Sequence, residues 1–322
     1  MVRSLALAKS MLAVDTSSKP CFLLDDDGTD WIDAVEAAGF THVAGTSPAG
    51  EWTGAVLDGY AFTSYEIESL RKTIGGGPLV CIEEAGDAVD HADLIVDYGC
   101  HRSGDTAAGK PALLGPTYAL LDDRFADVPA RPVPPAASSV LVTFGAFDSV
   151  NATGLALDAL AEIAPDAAAI RVTIAIGGRS PHRDEIERRV GAFPGDVALL
   201  VDAGDMAGLL GDADLVVGSG GVSLIERMAL GVPSVTVAQN DVQVAGIAGA
   251  ARENATRFAG KIDDLTPEGL AGELAALIAD ASARKAMSDA GRKLVDGRGA
   301  RRVAEHLCGL IARPPVAANA GT

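Results

Sequence analysis

The sequence is poor in several residue types, and each scarcity excludes something. Aromatic residues make up only 4% of the 322 residues although 48% are hydrophobic, and glycine is abundant at 37. The cores must therefore be aliphatic and rest on close backbone packing. The four cysteines, Cys21, Cys81, Cys100 and Cys308, are far apart and form no C-x-x-C pair. That excludes a disulfide framework or a thiolate zinc site and fits reduced thiols in the cytoplasm. The five histidines do not fall at ligand spacing, so neither a metal nor a cofactor is expected. Positive charge is also scarce: 26 Lys and Arg against 44 Asp and Glu leave a net charge of -18. A nucleic-acid or anionic-membrane surface needs clustered Lys and Arg, so neither partner is expected. A small anion held by backbone N–H groups remains open, because such a site needs no net positive charge. No apolar run reaches the roughly 18 residues of a membrane-spanning helix. The opening "MVRSLALAKSM" lacks a long apolar region and Lys9 interrupts it, so it predicts a helix and not a signal peptide.

What is present is alternation. The segment "DVPARPVPPAASS" (127–139) carries Pro129, Pro132, Pro134 and Pro135, which forbid regular helix or a central strand. It separates an N-terminal domain (1–131) from a C-terminal domain (140–312), with 132–139 as a stiff linker and 313–322 as a disordered tail. Beyond it, "SVLVTF", "AIRVTIAIG", "VALLVD", "DLVVGS" and "PSVTVA" predict buried strands. Between them "ATGLALDALAEIA", "HRDEIERRVGAF", "DMAGLLGDA", the stretch after Gly221 and the stretch from Asp241 predict helices. From Thr266 to Leu310 the pattern is helical, with a break near Gly297. The first half repeats the scheme with strands "PCFLLDD", "GAVLDGY", "PLVCIEE" and "ADLIVDYG". Its helices are "TDWIDAVEAAGF", capped at Thr29 and closed by Gly39, and "SYEIESLRKTI". Such alternation means parallel sheets covered on both faces. One element is missing: the chain opens in a helix, where a central strand normally comes first.

One stretch concentrates chemistry. In "DLVVGSGGVSLIERMALGVP" (214–233) an apolar strand runs into Ser219, Gly220 and Gly221, and a helix follows. Glycine lets the backbone take positive φ and lets a ligand come close. The helix start supplies unpaired N–H groups and a positive dipole end. This is the construction of a phosphate site, although glycine also serves tight strand–helix turns for steric reasons alone. The stretch matches neither G-x-x-x-x-G-K-[ST] nor the dinucleotide fingerprint. Glu226 stands about one and a half turns into the helix. A carboxylate there can accept hydrogen bonds from ribose hydroxyls, or it can simply pair with Arg227 or solvent.

The run "VDAGDMAGLLGDADLVVGSGGVSLIERMALGVPSV" resembles the nucleotide-binding segment of the two-domain GT-B glycosyltransferases, notably the N-acetylglucosaminyltransferase that makes lipid II. It is still more similar to the UDP-2,4-diacetamido-2,4,6-trideoxy-β-L-altropyranose hydrolases of pseudaminic acid synthesis and to related spore-coat polysaccharide proteins. "VLVTFGAFDSVNAT", "LLGPTYALLDDRF", "LDGY" and "RSLALA" extend the likeness along nearly the whole chain. The resemblance implies a GT-B fold: two Rossmann-like α/β domains, their parallel sheets facing a central cleft, with a UDP-sugar as partner. Ser219, Gly220, Gly221 and Ser223 would hold the diphosphate and Glu226 the ribose. Asp205 and Met206 would border the uracil, and Gly145 would sit near the phosphates. Asp58 and Tyr60 would face the sugar in a supporting catalytic role. Arg3, Asn240 and Gln243 would lie near sugar or phosphate. Tyr60 also has an ordinary reading, a tyrosine at a strand end tucked under the next helix. The implied reaction is hydrolysis of the UDP–sugar linkage for flagellin or surface glycans, by a monomer or weak oligomer.

The departures are specific. The family's hydrolytic His, in Gly-x-Gly-His, falls just before the segment matched by "MVRSLALA" and has no counterpart from Met1 on. Val242 and Gln243 stand where Asn-Gln is usual, so that only a shift would let Asn240 serve. Asp122 replaces an Arg and Ala146 a Gly. An upstream strand and loop completing the domain is the expectation, because a missing central strand leaves backbone groups unpaired at about 1–3 kcal/mol each. The alternatives are a glycosyltransferase with an acceptor other than water, and a UDP-sugar binder without its catalytic base. His101, in a loop after a strand, is the one substitute on the crevice side, and His91 stands at a strand start.

Overall fold

The computed structural model describes residues 1–24, 31–44, 50–59, 62–83, 88–163 and 170–312. The proposed catalytic Tyr60, the cap at Thr29 and the tail 313–322 lie outside them. The chain divides into two units. The first comprises Met1–Tyr98, Arg102–Asp123 and the segment from Gly297; the second comprises Gly99–His101 and Arg124–Asp296.

The first unit contains, in chain order, α1 (Val2–Val14), β1 (Cys21–Leu24), α2 (Ile32–Ala37), β2 (Thr41–Ala44), β3 (Ala55–Leu57), α3 (Ser64–Thr73), β4 (Leu79–Ile82), α4 (Ala88–His91), β5 (Leu94–Asp97), β6 (Thr106–Ala107) and β7 (Lys110–Leu114). Helix α3 starts at a reciprocal cap in which Thr63 accepts from the Glu66 N–H while Glu66 accepts from Thr63, satisfying two otherwise orphaned donors. Strands β4 and β5 read LVCI and LIVD and are buried throughout, as parallel strands covered on both faces must be.

The sheet of this unit is in two pieces. β1 pairs in parallel with β2, and a separate five-stranded sheet runs β3-β4-β5-β7-β6. Among the described residues β1 and β3 each keep one edge without a strand partner. Leu23 on β1 and Val56 on β3 accordingly remain 38% and 36% exposed. Helix α1 touches both pieces: Leu5, Ala8 and Leu12 pack with Phe22, Val35 and Phe40, while Arg3 and Ser4 bond to Asp58 just past β3. Among the described residues no strand pairing joins β1 to β3.

The second unit contains β8 (Ser139–Thr143), α5 (Ala152–Ile163), β9 (Arg171–Ile176), α6 (Arg183–Gly191), β10 (Asp196–Val201), α7 (Met206–Asp212), β11 (Leu215–Ser219), α8 (Val222–Leu230), β12 (Ser234–Ala238), α9 (Asp241–Arg252), β13 (Arg257–Lys261), α10 (Pro267–Ala279) and α11 (Ala281–Leu294). Its strands form one parallel sheet ordered β10-β9-β8-β11-β12-β13. From β8 the chain builds outward through β9 to β10, then returns to lay β11 on the other side of β8. The strand order therefore reverses between β8 and β11, and the loops after these two strands flank the crevice where such sheets bind ligands. Val140, Val142, Ile174, Leu215, Val217, Val235 and Val237 form the aliphatic core with Leu157, Leu160, Leu270 and Leu274 of the covering helices.

Two boundaries differ from the sequence expectation. The long helical stretch breaks at Asp280 as well as near Gly297, because Asp280 ends α10 and caps α11 through Ala283 N–H. The helix α12 (Gly299–Ile311), grouped by sequence with the second domain (140–312), packs in the first unit, and the second unit takes in Gly99–His101 and runs from Arg124, ahead of the linker 132–139. A close backbone approach holds it there: Gly299 has no side chain, so α12 lies directly against the Tyr118–Ala119 backbone. Arg302 donates to the Thr117 carbonyl at 2.9 Å, and His306 meets the edge of Tyr118.

Candidate functional site

Strand β11 ends at Ser219, and both Ser219 and Gly220 are buried while Gly221 is exposed. Gly221 is the N-cap of α8, has φ 71°, and brings no side-chain cap. A Cβ on Gly220 would come within 2.9 Å of Ile247 and 3.3 Å of Gln243 on α9, so Gly220 is required by close approach and Gly221 by conformation. Ser223 lies in the first turn of α8. Gly145, past β8 on the other side of the crevice, is exposed with φ 84°.

Glu226 and Arg227 are adjacent but play opposite parts. Glu226 is half-buried; burial pushes its carboxyl up to about 7, against the pull of the Arg227 and Arg124 cations. Arg227 is not a surface partner for it. Its guanidinium is wholly buried and Nη2 donates to the Ser219 carbonyl at 2.6 Å and to Thr236 Oγ1 at 3.2 Å. Burial lowers its pKa to about 10, which leaves it cationic at neutral pH. Sequence reasoning did not single out Arg227 or Arg124 as site residues. An Arg inside an otherwise apolar helix face, LIERMAL, was the available signal for the first.

The other proposed residues of this unit are placed as follows. Asn240 caps α9, accepting from Gln243 N–H at 3.2 Å, and Gln243 Oε1 accepts from Gln239 N–H at 3.0 Å. Gln243 touches the turn through its contact with Gly220, whereas Val242 points to solvent at 82% exposure. Asp205 caps α7 by accepting from Gly208 N–H at 3.0 Å, with Met206 as the first residue of that helix. Both follow β10 at the sheet edge, three strand spacings from β11, or about 14 Å. A hollow of about 450 Å³ there is lined by Leu199, Val201, Asp205, Leu209 and neighbouring residues; it includes none of the glycine turn. His101 is exposed on a turn whose backbone packs against Gly249.

In the first unit the carboxyl ends of the strands carry a second constellation. Arg3 donates from Nε to Asp58 at 2.8 Å, from Nη2 to Asp58 at 2.6 Å, and from Nη1 to Glu83 at 2.6 Å and the Tyr98 hydroxyl at 3.0 Å. Ser4 Oγ also donates to Asp58. Arg3 and Asp58, predicted apart as binding and catalytic residues, are thus one ion pair. Although burial alone would raise it, the bonds from Arg3 and Ser4 hold the Asp58 carboxyl below its ordinary range. That makes it a fixed anion and a weak proton acceptor near neutral pH. Glu83 and Tyr98 were not foreseen. Glu83 takes φ 62°, an uncommon conformation for a non-glycine residue and one that marks functional loops. Burial pushes the Tyr98 phenol pKa up.

Among the described residues no helix is long and apolar enough to cross a membrane. No group of three or more His, Cys, Asp or Glu that could hold a metal is found among them.

No protein-family model matches the chain. It is 28% identical over 243 residues to the spore coat polysaccharide biosynthesis protein SpsG of Bacillus subtilis, which covers 74% of this chain and 71% of that protein. It is also similar to the uncharacterized protein MJ1062 of Methanocaldococcus jannaschii, 26% identical over 40% of this chain and 27% of that one. Among solved structures, Acinetobacter baumannii MurG superposes with a TM-score of 0.64 at 14% identity, covering 96% of this chain and 95% of that one. The UDP co-structure of S. aureus MnaA superposes with a TM-score of 0.65 at 11% identity, covering 98% and 95%. The calicheamicin glycosyltransferase CalG4 gives 0.62 at 17%, covering 97% and 95%. The fold is that of the GT-B enzymes, built from two Rossmann-like α/β units with parallel sheets.

Proposed function

We propose that this chain processes a nucleotide sugar, binding UDP on the second unit and cleaving the bond between the anomeric carbon and the diphosphate. The observation that carries this reading is the turn Ser219–Gly221, open at the start of α8 beside the point where the strand order reverses. The diphosphate rests on the N–H groups of the turn and on Ser223, with Gly145 across the crevice. The ribose hydroxyls donate to Glu226, and the uracil lies toward Asp205 and Met206. When the bond breaks, UDP leaves with the electron pair. The charge gathering on its β-phosphate meets the same N–H groups and the positive end of α8.

With water as the acceptor the reaction is hydrolysis, releasing UDP and a free diacetamido sugar, as the resemblance in the sequence implies. The likeness to a protein named for spore-coat polysaccharide biosynthesis favours the second reading, transfer of the sugar to another hydroxyl. Isothermal titration with UDP tests the seat: absence of binding, or an unchanged affinity in Glu226→Ala, removes it. UDP release from UDP-sugars separates the reactions. Release in water alone marks the hydrolase, release that accelerates with an added glycan acceptor marks the transferase, and binding without release from any of them marks a binder.

A further inference from the structure

Arg227 is a cation in the core of the second unit that no carboxylate bonds to, although the neighbouring Glu226 carboxyl lies within its field. Its side chain is fully buried, and Nε and Nη1 have no hydrogen-bond partner. Nη1 lies 2.9 Å from where a Cβ on Gly218 would be, so glycine at 218 leaves room for the guanidinium beneath the end of β11. Only Nη2 is bonded, to the Ser219 carbonyl and Thr236 Oγ1. Thr236 in turn belongs to a buried hydroxyl chain with Thr256 and Ser234, at 2.7 Å and 2.9 Å. A buried charge without a bonded counterion is costly, and apolar replacement of such groups is often neutral or stabilising. Packing alone gives no reason for an Arg here.

The bond to Ser219 supplies one. A peptide is planar and trans, so the N–H of Gly220 points opposite to the carbonyl of Ser219. Arg227 draws that carbonyl toward the core and thereby turns the Gly220 N–H away from it. The cation also stands beneath the turn in a medium that screens it weakly. We propose that Arg227 is a positioning residue for a diphosphate on the Ser219–Gly221 turn, aiming the Gly220 N–H from below and supplying the countercharge that the anion balances. This rests on the reading of that turn as a UDP seat, and it adds a residue that need not touch the ligand.

The test compares UDP with uridine, which has no phosphate, by isothermal titration. Arg227→Met is expected to weaken UDP by about tenfold or more, as for a lost charge-assisted contact, and to leave uridine affinity unchanged. Arg227→Lys, which keeps the charge but not the fork, should recover part of the loss. In the unmutated protein, the amide resonance of Gly220 should shift with UDP and not with uridine, a measurement that stands even if Arg227→Met does not fold. Equal losses for UDP and uridine, or a Gly220 amide indifferent to UDP, overturn the role of Arg227 while the seat stands. If the unmutated protein binds no UDP at all, the seat fails and this inference fails with it.

Discussion

Two strand–helix turns flank the crevice of the second unit, and they are finished in opposite ways. After β8 the start of α5 is closed. Asp148, 4% exposed, accepts from the Ala152 and Thr153 N–H groups at 3.0 and 2.9 Å, and Asn151 accepts from Gly154. Gln239 fixes the same carboxylate from the loop after β12. After β11 the start of α8 has glycine as its cap, no capping side chain, and a buried guanidinium below. One turn already holds its anion as part of the chain, and the other is built to take one from solution. Both sequences are glycine-bearing turns after apolar strands, so glycine content does not distinguish them. The occupant of the helix start does.

Breaking the closed turn should have the largest effect. Asp148→Ala strips three donors of their acceptor in a buried place and is expected to cost about 2–3 kcal/mol in denaturant unfolding. If stability is unchanged, the contrast between the turns is not energetic. The open turn has its own cost at Glu226. Its folded pKa of about 7 lies above the ordinary carboxylate value, so the folded state binds more protons across that window and stability falls as pH rises through it. Glu226→Gln should therefore gain on the parent by about 1–3 kcal/mol at pH 8 and show little advantage near pH 4; a pH-independent difference counts against a buried ionising carboxyl. A ribose that donates to the ionised form should also release a proton on binding near pH 7, visible as buffer-dependent titration heats.

Smaller effects sharpen the ligand side. Glu226→Ala should weaken UDP by about tenfold and 2′-deoxy-UDP by less, because hydrogen bonds to a charged acceptor are worth about 1.5–3 kcal/mol. Equal losses would place the carboxylate away from the ribose. Gly221→Ala isolates the backbone of the open turn. Nothing lies within 4 Å of a Cβ there, so the cost is the conformation itself, φ 71° with ψ -149°, a region essentially confined to glycine, at about 1–3 kcal/mol, read as a lowered Tm.

Much of the second unit was legible because its strands are short β-branched or leucine-rich runs bounded by turn residues, and its cap at Asp205 is ordinary local chemistry. Strand β13, RFAGK, was missed: it is a half-buried sheet edge with polar residues at both ends. Strand β2, THVA, is as short and as polar, and β7 carries Pro111, which argues against a strand until the antiparallel β6 is seen beside it. At the candidate site, the glycine turn and Glu226 were visible as spacing. The ion pair of Arg3 with Asp58 was not, because 55 residues separate its partners.

By itself the sequence determined the alternating α/β pattern, the aliphatic cores and the place where an anion can sit on a helix start, since all three follow from periodicity and local backbone chemistry. Tertiary structure alone decided that α12 packs in the first unit, that Asp148 closes one turn, and that Arg227 points inward under the other. Each of these is a long-range choice between burial and exposure, and only the packed neighbours set its cost.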